Sequence, residues 1–467
     1  MKRRSFNLYT AAGVAAASAG ASLPKKAFAL TAADAATLQT TLTPFGAERA
    51  GNAAGTIPAW TGEDLALPEG GGPYGLMPDF FASDAKLFSI NAANMAHYQA
   101  NLSPGLMLFM QKHPNYRIDV YPTHRTGGIA TQEVYDNTAA NVTRVQPVAG
   151  GSRLGFTGAY GGLPFPILNT EDPYEGGAQA IWNHSCRWFG PYELRNRSIH
   201  TVIDGQVVLA TGDLVYQICP YYFPGGSPAT YNGWLRLFRG DVWGPPETKG
   251  QSYIEYDPTN PTENPIEIWQ YLNGQGRVRK APELQYDTPE TQGDDVVNYD
   301  EAYMWYGALD QYDWKLVGKQ EMYIPYNNNK VFQQPHDVVL TPEFADPDYV
   351  RWELHRVYVV EATLHPGKRN VLPHRFFYVD EDTYTIALNH AFDADGNLAR
   401  FTHALFEVRP DIPAVIFGTS FGYNVSTGQY VTEQSPWNEP PLNGPYKLAP
   451  IPNEMLQPTA MAAQQQY

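Results

Sequence analysis

Between Arg351 and Glu407 the chain passes through four segments of strand character whose turns are too short to hold a helix. Arg351 to Ala362 alternates, with Trp352, Leu354, Tyr358 and Val360 on one face and Arg351, Glu353, His355 and Glu361 on the other. That period of two is the pattern of a half-buried strand. Arg375–Val379, Tyr384–Phe392 and Leu398–Glu407 follow, with turns at 380–382 and 393–397. Strands this close in sequence pair antiparallel, and a doubly wound nucleotide-binding sheet, which needs crossover helices, is not expected here. Upstream, Ile266–Tyr271 and Arg277–Lys280 flank Asn273-Gly274-Gln275-Gly276 and read as a hairpin.

The first half is less regular. Helices are expected at Ala92–Ala100 behind Asn91, at Pro104–Lys112 behind the N-cap Ser103, and over part of Pro173–Trp188. The expected organisation is therefore a signal peptide over 1–29, an irregular arm and helical covering region over 30–200, an antiparallel sheet over 201–435, and a Pro/Gln-rich, loosely attached tail over 436–467. The fold class is α+β.

Arg3-Arg4-Ser5-Phe6, a weakly hydrophobic Ala/Gly stretch, and Lys25-Lys26 before Ala27-Phe28-Ala29 match a twin-arginine export signal. Its removal takes away five of 32 basic residues and no acidic one, leaving 27 against 48, a formal charge of −21. Such a surface repels phosphate backbones, so nucleic acid is not an expected partner, and it favours a soluble monomer. After the first thirty positions no apolar run of 18 residues occurs, so no spanning helix is expected. The periplasm is the expected compartment.

Chemistry is hard to find by motif. No G-x-S-x-G occurs, and Ser227 is followed by Pro228, which lacks the N–H an oxyanion hole would use. The eleven His include no H-E-x-x-H or H-x-H, so neither metal nor cofactor is expected. His355, His365 and His374 gather near Glu361, and Asp393–Asn397 reads as a turn rather than a calcium loop. Trp182-Asn183-His184 is a candidate polar cluster, and Cys186 and Cys219 could form a disulfide in an exported chain. No residue is assigned a catalytic role.

Longer segments carry a resemblance. Thr41–Asn52, Ile57–Gly62, Trp182–His184, Tyr286–Pro289, Tyr312–Lys319, Met322–Asn328, Arg351–Leu364 and Gly367–Arg369 resemble the bacterial domain-of-unknown-function family 1329. The resemblance implies an exported protein with a fold similar to periplasmic lipoprotein carriers: a large curved antiparallel β-sheet, an incomplete barrel, covered by helices and long loops. It also implies a hydrophobic ligand such as a lipid, acyl chain or sterol-like compound, and an outer-membrane β-barrel partner. Trp352, Leu354, Tyr358, Val360, Tyr384, Ile386 and Leu388 are the candidates for lining an apolar cavity. The alternative is a periplasmic enzyme, a hydrolase or cofactor-dependent oxidoreductase exported already folded.

Overall fold

The computed structural model describes residues 29–63, 65–67, 76–281, 285–439 and 450–463. All but the last residue of the expected signal peptide lies outside them. In chain order the strands are β1 (Phe88–Asn91), β2 (Arg117–Val120), the two-residue pair β3 (Gln146–Pro147) and β4 (Phe156–Thr157), β5 (Tyr192–Ile203), β6 (Gln206–Ile218), β7 (Trp234–Gly244), β8 (Ser252–Pro258), β9 (Glu267–Leu272) and β10 (Arg277–Lys280). The second half adds β11 (Tyr312–Pro325), β12 (Arg351–Leu364), β13 (His374–Asp380), β14 (Ile386–Phe392), β15 (Leu398–Arg409), β16 (Ala414–Asn424) and β17 (Gln429–Ser435). The helices are α1 (Ala32–Thr37), α2 (Pro104–Lys112), α3 (Gln132–Arg144), α4 (Pro173–Ser185), α5 (Asn329–Phe332), α6 (His336–Val339) and α7 (Pro458–Ala463).

Strands β5 to β10 form one antiparallel meander and β11 to β17 a second. They join where β17 pairs with β5, Val431 opposite Thr201, and β1–β2 attach to the start of β12 through one parallel contact. The resulting 15-stranded sheet does not close on itself. Eight of its pairings carry a register shift, and an extra residue on one strand bends and twists the ladder. The sheet is thus a large, open, incomplete barrel, as the fold class anticipated.

Both faces of its centre are covered. On one face α2 packs against β14 and β15, with Phe109 among Tyr116, Phe401 and Tyr423. On the other lie α4 and the segment Tyr299–Met304; Trp305 and Trp314 meet Phe377 edge-on or tilted. This double cover corrects the half-buried reading of β12: Glu353 and His355, assigned to solvent by alternation, are buried, while Leu354 is only half-buried. The tail also differs from expectation. Trp437, Leu456 and Met461 are buried, and Arg239 and Tyr256 donate to the carbonyls of Met455 and Leu456 at 2.7 and 2.6 Å. The sheet begins at Tyr192 rather than Thr201, and Met95–Asn101 forms a 3-10 helix where an α-helix was expected.

Local signals hold where a cap or turn is explicit. Ser103 accepts from the Leu106 N–H at 3.1 Å with Pro104 opening α2. The 273–276 turn joins β9 and β10. Helix α4 starts behind Asp172 and presses so closely on β11 that a Cβ on Gly177 would lie 2.5 Å from the Trp314 carbonyl oxygen. Neither backbone can yield without moving a helix or a strand. Gly177→Ala is accordingly expected to cost roughly 1–3 kcal/mol, read as a lower urea midpoint at unchanged slope; an unchanged midpoint contradicts this packing.

Candidate functional site

Charged residues line the inner face of the first meander. On β5 the alternation buries Glu193, Arg195 and Arg197 and leaves Leu194 and Asn196 partly exposed, the inverse of the usual arrangement. Buried charges survive only when paired, and these are linked across four strands. Arg195 Nε lies 3.0 Å from Glu193 Oε1, Gln217 Nε2 donates to Glu193 Oε2 at 3.0 Å, and Arg236 Nη1 reaches Gln217 Oε1 at 3.4 Å. Arg236 Nε then donates to Asp257 Oδ2 at 2.7 Å, and the Tyr306 hydroxyl to Asp257 Oδ1 at 2.6 Å. The Arg236 guanidinium stands 4.6 Å over the Tyr303 ring.

Above this ladder lies a cavity that admits water-molecule centres over about 80 Å³, roofed by the end of α4 and by residues 303–307. Its aromatic walls are Trp182, Phe189, Tyr222, Tyr303, Trp305, Tyr306 and Phe417. Its cations are Arg187, Arg195 and Arg236, and its acids Glu193 and Asp257. Arg195 and Arg236 are matched by those acids. Arg187, 8% exposed, has no carboxylate within ion-pair distance among the described residues; it donates to the His184 carbonyl at 2.7 Å and lies 5.6 Å over Phe417. Burial, with Arg236 nearby, brings its pKa down to about 10. The indole N–H of buried Trp305 has no hydrogen-bond partner among the described residues. An unbalanced cation and an unused donor in an aromatic chamber suit a negatively charged group on an otherwise apolar molecule.

Behind Tyr303 a second, smaller chamber of about 30 Å³ holds Glu255, Glu290 and Glu433 with Arg197. Arg197 forms a two-pronged pair with Asp213 at 2.8 and 3.0 Å, and the hydroxyls of Tyr253 and Tyr299 donate to Asp213 and Glu255. Burial raises all three glutamates; Glu433, which accepts from the Tyr303 N–H at 3.0 Å, is pushed up to about 7.

The sequence-derived candidates fall into distinct places. Trp182 lines the aromatic cavity and donates from its indole to the Ser152 carbonyl at 2.7 Å. Asn183 exchanges two hydrogen bonds with the backbone of Phe165, at 2.9 and 2.7 Å. His184 accepts at Nδ1 from the Ile386 N–H at 3.0 Å, which leaves Nε2–H to donate to the Tyr303 carbonyl at 2.9 Å. Burial and Arg187 drive its pKa far down, so it is a neutral strut between β14 and the cavity roof. Tyr303 and Tyr384, which flank that strut, both have left-handed backbones (φ +54° and +57°). Cys186 and Cys219 are free rather than bridged; both are buried, and burial raises both thiols.

Trp352, Tyr358, Val360, Tyr384, Ile386 and Leu388 belong to the main packed core, with Leu354 half-buried. They do not share one face. Val360 stands opposite Phe377, whereas Leu388 stands opposite Tyr378, whose partner on β12 is Val359. The three histidines near Glu361 also separate: His355 lies 3.1 Å from Glu353, His365 2.7 Å from Asp313 and His374 2.9 Å from Glu361. Apart from Trp182, the residues that build the cavity were missed, the charged ones because charge reads as solvent exposure; the available signal was opposite charges at alternate positions, 193, 195 and 197, within a strand.

The raised acid has a measurable consequence. In the folded chain Glu433 keeps its proton to about pH 7, while an ordinary glutamate ionises near 4.5. The folded state therefore binds the extra proton in that window, and its contribution to stability is lost as pH rises through it. Glu433→Gln keeps an acceptor for Tyr303, and its unfolding free energy should fall less between pH 5 and pH 7 than that of the parent; equal falls would show that Glu433 ionises normally.

With this geometry in view, comparisons place the chain among known proteins. The profile of the family described as protein of unknown function DUF1329 matches residues 89–462. An uncharacterized protein of Pseudomonas aeruginosa is 35% identical over 414 residues, 86% of this chain and 87% of that protein. Among solved structures, a DUF1329 family protein from Desulfovibrio piger aligns with 13% identity and a TM-score of 0.37 over 56% of this chain and 90% of that one. A LolA superfamily protein from Nitrosomonas europaea aligns with 10% identity and a TM-score of 0.33, over 59% and 93%.

Proposed function

The chain belongs to the DUF1329 family, and we propose that it is an exported periplasmic carrier whose aromatic cavity takes one end of a hydrophobic ligand bearing a negative charge. The observation that carries this reading is Arg187, a buried cation without a carboxylate partner among the described residues, set among aromatic rings. A buried charge is costly when unpaired, and a carboxylate or phosphate from a ligand relieves that cost. The aromatic walls would hold the adjoining apolar part, each buried methylene contributing about 0.8 kcal/mol. A lipid, acyl chain or sterol-like acid has this chemistry. Transfer between membranes, with an outer-membrane β-barrel as the receiving partner, completes the proposal. Among the described residues no helix is long and apolar enough to cross a membrane.

Native mass spectrometry of protein from its own host, followed by organic extraction, tests occupancy; repeated preparations without a lipophilic mass would sink the carrier reading. Arg187→Met keeps an unbranched, flexible stem and removes the charge. The variant should bind a long-chain fatty acid at least about tenfold more weakly, the loss of one charge-assisted hydrogen bond, while its unfolding midpoint stays level or rises. Unchanged affinity would show that Arg187 does not meet the ligand.

The enzyme reading has one observation in its favour, the raised Glu433 in the second chamber, behind the Tyr303 that also lines the cavity. Incubating the extracted ligand with the protein separates the two: recovery unchanged supports a carrier, and conversion abolished by Glu433→Gln supports catalysis.

A further inference from the structure

Away from the cavity, three side chains distant in sequence converge where the C-terminal segment crosses the sheet. His200 comes from β5, His336 opens α6, and Glu439 follows buried Trp437. The two imidazoles stack at 4.3 Å with planes 14° apart, and both oxygens of Glu439 approach His336 Nδ1, at 2.7 and 2.9 Å. One nitrogen or oxygen from each residue lies within 4.8 Å of the other two. His200 is 4% exposed; its Nδ1 meets Ser198 Oγ at 3.2 Å, and its Nε2 has no hydrogen-bond partner among the described residues. One backbone and one side-chain hydrogen bond hold the crossing segment in place: the Asn438 N–H donates to the Gln334 carbonyl at 3.0 Å, and Asn438 Nδ2 to the Gln333 carbonyl at 3.0 Å.

We propose that His200, His336 and Glu439 bind a divalent transition-metal ion of the zinc class, which fastens the C-terminal segment to β5 and α6. Two imidazole nitrogens and one carboxylate are a donor set that such ions accept in four-coordinate sites, with the remaining position left to water. Bonds of about 2.0–2.1 Å in a tetrahedron place ligand atoms roughly 3.3 Å apart. From a spacing within 4.8 Å the three groups need close by at most about 1.5 Å to reach that distance, and the His336 side chain, 32% exposed, has room to turn out of the stack towards the ion. The face open to solvent at His336 and Glu439 gives the ion a way in. An ion pair alone explains His336 with Glu439; it does not explain a buried second imidazole stacked against the first with an unused nitrogen. The site is independent of the carrier reading, since none of its residues lines the aromatic cavity.

The full exported chain, stripped with chelator and titrated with Zn²⁺ by calorimetry, should take up one ion per chain. Co²⁺ should give the intense visible absorption of a four-coordinate site. His336→Gln and Glu439→Gln, both at partly exposed positions, should each weaken Zn²⁺ binding by at least about tenfold, the scale on which lesser changes around a metal act. His374→Gln removes a comparable surface histidine–carboxylate pair and should leave binding unchanged. No stoichiometric uptake, or His336→Gln and Glu439→Gln both binding as the parent does, would overturn the site. Circular dichroism on each variant shows that the fold is retained, and Glu439→Gln keeps the test decisive should His336→Gln fail to fold.

Discussion

The pairing of β17 with β5 brings the two meanders into one sheet, and every other feature described depends on it. It brings Thr201 beside Val431, the first strand of one meander beside the last of the other. Closing so long a loop is entropically expensive, and the cost is met by long antiparallel ladders and by cover on both faces rather than by the short pairing itself. The aromatic cavity shows the dependence directly: its floor comes from β5 to β8, and Ile416 and Phe417 reach it from β16 across the joint.

Cover on both faces settles where charge can go. With no solvent side at its centre, the sheet buries Glu353, Arg197, Asp213 and Arg375, and each is matched by an opposite charge. In such an interior an unmatched cation is a conspicuous exception. Among the described residues Arg187 is that exception, and it sits in a cavity with an aromatic lining. Its position is fixed from behind by His184, whose two ring nitrogens are fully engaged between β14 and the Tyr303 carbonyl. The strut, the roof and the cation form one mechanical unit although they come from α4, the segment after β10, and β14.

What the sequence allowed to be read divides along the range of the interaction. Local chemistry was legible: the Ser103 cap with Pro104, the 273–276 hairpin turn, and the β12–β15 meander with its turns at 380–382 and 393–397 all reflect contacts within a few residues. Faces were not. Alternation on β12 marked Glu353 and His355 as solvent-exposed because period-two reasoning assumes one wet side, and this sheet has none there. Val360 and Leu388 were grouped by apolar character alone, whereas the register that sets them on opposite faces is decided between strands, where bulges shift it. The resemblance carried the fold class, since long motifs encode a whole family rather than a local preference. It held no information about Arg187 or the acids behind Tyr303, and no spacing rule could gather His200, His336 and Glu439 from three remote segments.

An open barrel, unlike a closed one, leaves a strand with unpaired backbone groups at its end, and such an edge invites another chain to add to it. Here the last strand of the path is β10, only four residues long, with Arg277, Arg279 and Lys280 exposed. In a strongly acidic protein, three cations on one short terminal strand repel the same strand of a second copy and deny it the length needed for stable pairing. At this end, then, the unclosed sheet offers a second copy a short, like-charged strand rather than a long apolar one.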